Sequence, residues 1–353
     1  MDQSLCKYFT TSRGFVYHYL FSTGNISKPT LLFTRAFRKK DYPLVVPDML
    51  GYGGTSKPIN PIHYKHRLMA RDMVDILDVE NVDHVIVIGH DLKHCRGSVI
   101  TSCTANYYPD RFLAFGFLSV GYYPPISMSY EATMQKHVLA TDADVWFKST
   151  LGTELFGYWA FFSEEGPRDK LDDSTESLYS LLYCDDPELW KRHMGPPGAM
   201  KAWIENKQMT EVGSFLTEED RQVQREELRK GGFAAPICYY KVVYTTIEAD
   251  DFQGNAHRTV PTLSMLISFE ANPPTALKLT KPVFFGGALK DFIALYSLNE
   301  ASTKESCEDA TIHIYNMGRW IHMQAKDETS RDMSMWIHGL DSGVKHSKLR
   351  KTS

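Results

Sequence analysis

Residues 85–91 read Val-Ile-Val-Ile-Gly-His-Asp. Four β-branched residues in a row suit a strand buried on both faces, as in a parallel sheet. Gly89 follows where the chain must turn sharply. Asp91 is thereby expected at the carboxyl end of a central strand, where open α/β sheets place reactive groups. A side chain held on a tight strand-to-helix turn has nucleophile-elbow geometry. A carboxylate there can attack an electrophilic carbon and form an ester. A strand followed by a loop bearing a surface aspartate fits the same seven residues.

The elements on either side extend the pattern. Residues 8–20 suggest a hairpin turning at Arg13-Gly14, and Thr30-Leu31-Leu32-Phe33 and Leu44-Val45-Val46-Pro47-Asp48 read as strands. Between the latter two lies only 34–43, whereas a parallel crossover needs about a dozen residues or more. The first crossover helix is therefore expected to be short or missing, and a hairpin is the alternative. Loss of that helix would expose one face of the sheet. Residues 63–80 carry Leu68, Met69, Met73, Ile76 and Leu77 at helical spacing among charges. Residues 98–107 suggest a buried helix of small residues, and 112–120 another strand.

From about 126 to 245 charged and aromatic residues alternate at helical spacing without a convincing strand. Strand patterns return at 282–287 and 311–315, and a terminal helix is expected around 325–340. The expected organisation is a mostly parallel α/β core formed by 1–125 and 246–345, a helical cap at 126–245 and a tail at 346–353.

Composition narrows the function classes. The chain has 353 residues, 43% of them apolar, enough for one large core with a smaller companion. A net charge of −4 and no basic block give no reason to expect nucleic acid as a partner. No run approaches the ~18 apolar residues of a membrane span. The six cysteines are scattered, which argues against a disulfide scaffold or a thiolate metal site and for a reducing compartment. No signal-peptide pattern opens the chain, so secretion is not expected. Ser347-Lys348-Leu349 would be a peroxisomal address as a C-terminal tripeptide, but four residues follow it here. A peroxisomal location is expected if that tripeptide reflects a real terminus, and a cytoplasmic one otherwise.

Two motifs carry a family resemblance. Val46-Pro47-Asp48-Met49-Leu50-Gly51-Tyr52-Gly53-Gly54-Thr55-Ser56-Lys57-Pro58 resembles the Pro-Asp-x-x-Gly-x-Gly loop of the epoxide hydrolase and haloalkane dehalogenase branch of the α/β-hydrolase superfamily. Gly89-His90-Asp91 resembles that branch's nucleophile motif. The resemblance runs over roughly 14–340. It is nearest to fungal epoxide-hydrolase-like proteins, some from secondary-metabolite clusters that make host-selective toxins.

The resemblance implies an α/β-hydrolase fold and a reaction in which Asp91 opens an epoxide and a histidine-activated water hydrolyses the resulting ester. Phe156-Gly157-Tyr158-Trp159 and Ile237-Cys238-Tyr239-Tyr240-Lys241 resemble the lid-tyrosine motifs and point to Tyr158 and Tyr240. Asp291 falls where the acid that orients the histidine belongs. Two tyrosines favour an epoxide over a halide, which needs Trp or Asn donors. The implied substrate is a small apolar epoxide, such as a fatty or polyketide-derived epoxy acid. No cofactor and no metal are implied, and a homodimer is a candidate assembly.

Three departures from the pattern bear on activity. Thr34-Arg35-Ala36-Phe37 stands where the oxyanion motif His-Gly-x-Pro is expected. Lys93 replaces a glycine two residues after Asp91 and would bring a cation beside the carboxylate. Gly318-Arg319-Trp320 stands in place of Gly-His-Trp, and an arginine cannot serve as a general base. His322 is the nearest substitute, if the loop rearranges. A catalytically silent paralogue with a binding role or none, and a chain altered by errors in the gene model near 34–43, 93–96 and after Leu349, both fit these departures.

Overall fold

The computed structural model describes residues 3–25, 27–33, 42–91, 97–122, 152, 154–245, 247, 278–341 and 350–351. Thr34-Arg35-Ala36-Phe37, Lys93 and Ser347-Lys348-Leu349 lie outside the described residues.

The described strands form one nine-stranded sheet in the order β1-β2-β4-β3-β5-β6-β7-β8-β9. β1 (Cys6–Thr10) and β2 (Val16–Ser22) are the hairpin expected around Arg13-Gly14. β2 also pairs antiparallel with β4 (Leu44–Pro47). From β4 onward the pairing is parallel, through β3 (Thr30–Phe33), β5 (Val85–His90), β6 (Phe112–Leu118), β7 (Val283–Ala288) and β8 (Ala310–Tyr315). β3 and β4 pair in parallel, so the hairpin alternative between them is wrong.

Alternation along β5 explains how the sheet is covered. Val85 and Val87 face a core built with α1 (His66–Val79) and α2 (Gly97–Tyr107), in which Met69, Met73, Ile76, Leu77 and Ile100 are buried. Ile86 and Ile88 face the other side and pack in one cluster with Leu31, Phe33, Tyr42, Met333, Trp336 and Ile337. The last three belong to α12 (Lys326–Asp341), the expected terminal helix. The expectation of an exposed second face is therefore not met. Leu31, Phe33, Ile86 and Ile88 are buried, because α12 and Tyr42 contribute to the cluster on that side.

Between β6 and β7 the described chain is helical. α3 (Gly157–Ser163), α4 (Pro167–Asp173), α5 (Thr175–Leu182), α6 (Glu188–His193), α7 (Ala199–Glu205), α8 (Glu218–Gly231) and α9 (Cys238–Tyr244) lie within the expected cap. α10 (Tyr296–Ser306) links β7 to β8, and the short α11 (Ile321–Gln324) precedes α12. The tail adds a two-residue strand, β9 (Arg350–Lys351), beside β8. Among the described residues, no helix is long and apolar enough to cross a membrane.

The elbow depends on close packing behind it. A Cβ on Gly89 would fall 2.3 Å from the carbonyl oxygen of Gly97 and 2.5 Å from Thr101 Oγ1. Strand and helix meet here only because position 89 has no side chain. Gly89→Ala is expected to destabilise the fold by about 1–3 kcal/mol through overpacking. Urea denaturation will show this as a lower midpoint, and an unchanged midpoint would contradict the packing described.

Candidate active site

The site lies at the carboxyl ends of β5, β6, β7 and β8, where an open parallel sheet gathers its loops. Asp91 follows β5 with φ at +72°. A non-glycine residue in the left-handed region costs on the order of 1–3 kcal/mol and persists only where its surroundings enforce it. Here the Asp91 N–H donates to the Leu118 carbonyl at 3.2 Å, and the Asp91 carbonyl accepts from Ser98 N–H at 3.2 Å. Adjacent strand and following helix thus hold Asp91 directly after β5.

Asp291 lies in the turn after β7. Its Oδ1 accepts the N–H groups of Ile293 at 2.9 Å and Ala294 at 3.0 Å, which holds the carboxylate in one orientation. Asp91 and Asp291 are 1% and 2% exposed, respectively.

Arg319, from the loop after β8, lies between them and is itself 2% exposed. Its Nε donates to Asp91 Oδ1 at 2.9 Å, and its Nη2 donates to the same oxygen. Its Nη1 donates to both oxygens of Asp291, at 2.9 Å and 3.3 Å. Burial alone would favour loss of the guanidinium proton. The fields of Asp291 and Asp91 outweigh burial and raise the pKa above its ordinary value, so the group stays charged. The Arg319 guanidinium thus stands as a cation beside Asp91.

The backbone of Arg319 is also held. Its carbonyl accepts from Ser119 Oγ at 2.5 Å and faces His90 Nε2 at 3.1 Å, so Nε2 carries the proton. The next residue fastens the loop to the cap: Trp320 Nε1 donates to the Leu182 carbonyl at 2.9 Å, and its ring stacks on Tyr183 with centroids 4.7 Å apart. Trp190 of the cap lies beneath the guanidinium at 6.0 Å.

The two cap tyrosines come together. Tyr158 on α3 and Tyr240 on α9 are both buried, with ring centroids 5.9 Å apart and planes at 81°. Tyr239 turns the other way and donates from its hydroxyl to the Leu50 carbonyl at 2.8 Å, leaving Tyr240 as the partner of Tyr158. Burial, then the neighbouring Tyr240, pushes the Tyr158 phenol well above its usual range, with Arg319 opposing that rise and Asp91 adding to it. At neutral pH Tyr158 is therefore a neutral donor close to the ion pair, suited to an oxygen that gains negative charge.

The His322 ring packs edge-on against His90 at 4.2 Å and against Trp320 at 6.2 Å, while Arg319 holds the place between the two carboxylates. Ser119 and the grip of Trp320 on the cap were not singled out from sequence. The rule that functional groups follow parallel strands, applied to β6, would have pointed to Ser119. Among the described residues, no group of three or more His, Cys, Asp or Glu could hold a metal ion.

Comparisons with known proteins establish the family. A family model described as alpha/beta hydrolase fold matches residues 23–326. Epoxide hydrolase A of Mycobacterium tuberculosis is 33% identical over 85% of this chain and 83% of its own length. An epoxide hydrolase of Caballeronia sordidicola is 22% identical over 87% of this chain and 82% of its own. With epoxide hydrolase 3 of Siraitia grosvenorii the identity is 24%, and the match spans 59% of each chain. An epoxide hydrolase from an endophytic Streptomyces shares the fold, with a TM-score of 0.73, 20% identity and 98% of both chains covered. The chain belongs to the α/β-hydrolase superfamily, in its epoxide hydrolase branch.

The ion-pair geometry predicts a stability effect. Arg319→Met leaves two buried carboxylates without their shared cation and is expected to cost about 3–5 kcal/mol. The native guanidinium, with its raised pKa, contributes fully at every pH below its unfolded value, so its contribution does not change between about pH 5 and 9. Urea unfolding across that range measures this, and a loss below about 1 kcal/mol would contradict it.

Proposed function

We propose that this chain retains the epoxide-recognising half of the family's site but does not turn epoxides over. The observation that carries this reading is the guanidinium of Arg319, bonded at once to Asp91 and Asp291. In the family's reaction an aspartate attacks an epoxide carbon, and a base then activates water to cleave the aspartyl ester. The two hydrogen bonds that Arg319 donates to Oδ1, with its charge, lower the electron density the Asp91 carboxylate offers to an incoming carbon. Ester hydrolysis requires a base, and a permanently protonated arginine cannot accept the proton from water.

Recognition rests on different residues. Tyr158 and Tyr240 stand together in the cap, as expected for donors to an epoxide oxygen, with Phe162 against Tyr240 at 4.6 Å. Apolar and aromatic walls with a few directed polar groups suit a small apolar ligand. A fatty or polyketide-derived epoxy acid fits that description, and the names of the relatives support the epoxide class. A role in toxin or other secondary metabolism is supported by the sequence resemblance alone.

Incubation of the purified chain with styrene oxide in ¹⁸O-labelled water tests the reading. The expected result is no diol above the uncatalysed background over many equivalents of substrate. Repeated turnover with label in the diol would overturn it.

A further inference from the structure

Two non-glycine residues at the carboxyl ends of adjacent strands have a left-handed backbone: Asp91 after β5, with φ +72°, and Ser119 after β6, with φ +65°. Both converge on residue 319. Asp91 meets the guanidinium, and Ser119 donates from Oγ to the Arg319 carbonyl at 2.5 Å. Ser119 is fully buried, and its N–H donates to the Gly286 carbonyl at 2.8 Å, which ties its turn to β7. His90, one residue before the elbow, donates from Nε2 to the same carbonyl at 3.1 Å, and its Nε2 lies 3.3 Å from Ser119 Oγ. A strained, buried residue that spends its hydroxyl on one distant carbonyl is overdetermined by its surroundings, and such positions cluster at functional sites.

We infer that Ser119 and His90 are positioning residues for position 319, forming a two-donor clamp on its carbonyl that sets whatever side chain stands there between Asp91 and Asp291. The inference rests on the reading that Arg319 shields Asp91. It goes beyond that reading by assigning the shielding geometry to the ends of β5 and β6 rather than to the ion pairs alone. One chemical consequence follows. With Arg319 clamped, its guanidinium stays on Asp91 Oδ1; with the clamp removed, the loop is freer and the carboxylate is uncovered for part of the time.

The probe is covalent labelling of Asp91 by styrene oxide. In that step an Asp91 oxygen forms a bond to an epoxide carbon, the ring C–O bond breaks, and the alkoxide takes a proton from a phenol or water. The product is an ester that lacks a base to hydrolyse it, and peptide mass spectrometry locates it at residue 91. Ser119→Ala and His90→Phe each remove one donor and are expected to label Asp91 about five- to tenfold faster than the unaltered chain, the effect of losing one hydrogen bond. His90→Gln, whose amide can replace the Nε2–H donor, is expected to return the rate close to that of the unaltered chain. Ser119→Gly removes the hydroxyl together with the backbone strain, and serves if Ser119→Ala does not fold.

Arg319→Gln separates the two claims. If it labels rapidly while the Ser119 and His90 variants label no faster than the unaltered chain, the clamp is overturned and the shielding of Asp91 stands. If Arg319→Gln also fails to label, Asp91 is not a shielded nucleophile, and both the reading and the clamp fall.

Discussion

A single guanidinium shared by two buried carboxylates governs this site. Asp91 and Asp291 come from the ends of β5 and β7, and Arg319 from the loop after β8. None of the three could be buried alone, because an isolated charge in a protein interior costs several kcal/mol. Together they satisfy one another, with further help from the Ile293 and Ala294 amides on Asp291. The same bonds that make the burial tolerable take away the freedom the chemistry needs. A nucleophile must offer electron density to an incoming carbon, and a base must accept a proton. Arg319 limits the first function and cannot perform the second.

The rest of the site is arranged around that constraint. The elbow keeps its strained backbone at Asp91, and the close approach of Gly89 to Gly97 keeps strand and helix in contact. Tyr158 and Tyr240 keep their mutual placement in the cap, and burial keeps Tyr158 a neutral donor. Trp320 ties the Arg319 loop to Leu182 and Tyr183, so loop and cap are held as one unit. On the function proposed above, these groups form the scaffold and the recognition side of the site, and Arg319 stabilises the resting carboxylates instead of supplying a base. An arginine at this place in the loop is a permanent cation, where a histidine would be a proton acceptor.

Much of this was legible in the sequence because it rests on local pattern. The run Val85-Ile86-Val87-Ile88 has the composition of a strand buried on both faces, and Gly89-His90-Asp91 marks its turn. The helical spacing of Met69, Met73, Ile76 and Leu77 matches α1, and the aromatic block matches the cap helices. Other features depend on distant partners and leave no local trace. Arg319 reads as the loss of a histidine; that it joins residues 228 and 28 positions away cannot be seen in Gly318-Arg319-Trp320. Ser119 looks like any polar residue after a strand until its hydroxyl is found on a carbonyl 200 residues away. The parallel pairing of β3 with β4 ran against the short link between them, and burial of the sheet's second face came from α12, at the far end of the chain.

The central claim is that Arg319 and Asp91 are energetically coupled, and a double-mutant cycle measures that coupling directly. Unfolding free energies would be determined for the unaltered chain, Arg319→Met, Asp91→Ala and the double variant. A buried, doubly bonded pair predicts a coupling of about 2–3 kcal/mol, with the double variant much less destabilised than the two single losses summed. Additivity within about 0.5 kcal/mol would contradict the account, because it would mean that the guanidinium does not hold the nucleophile.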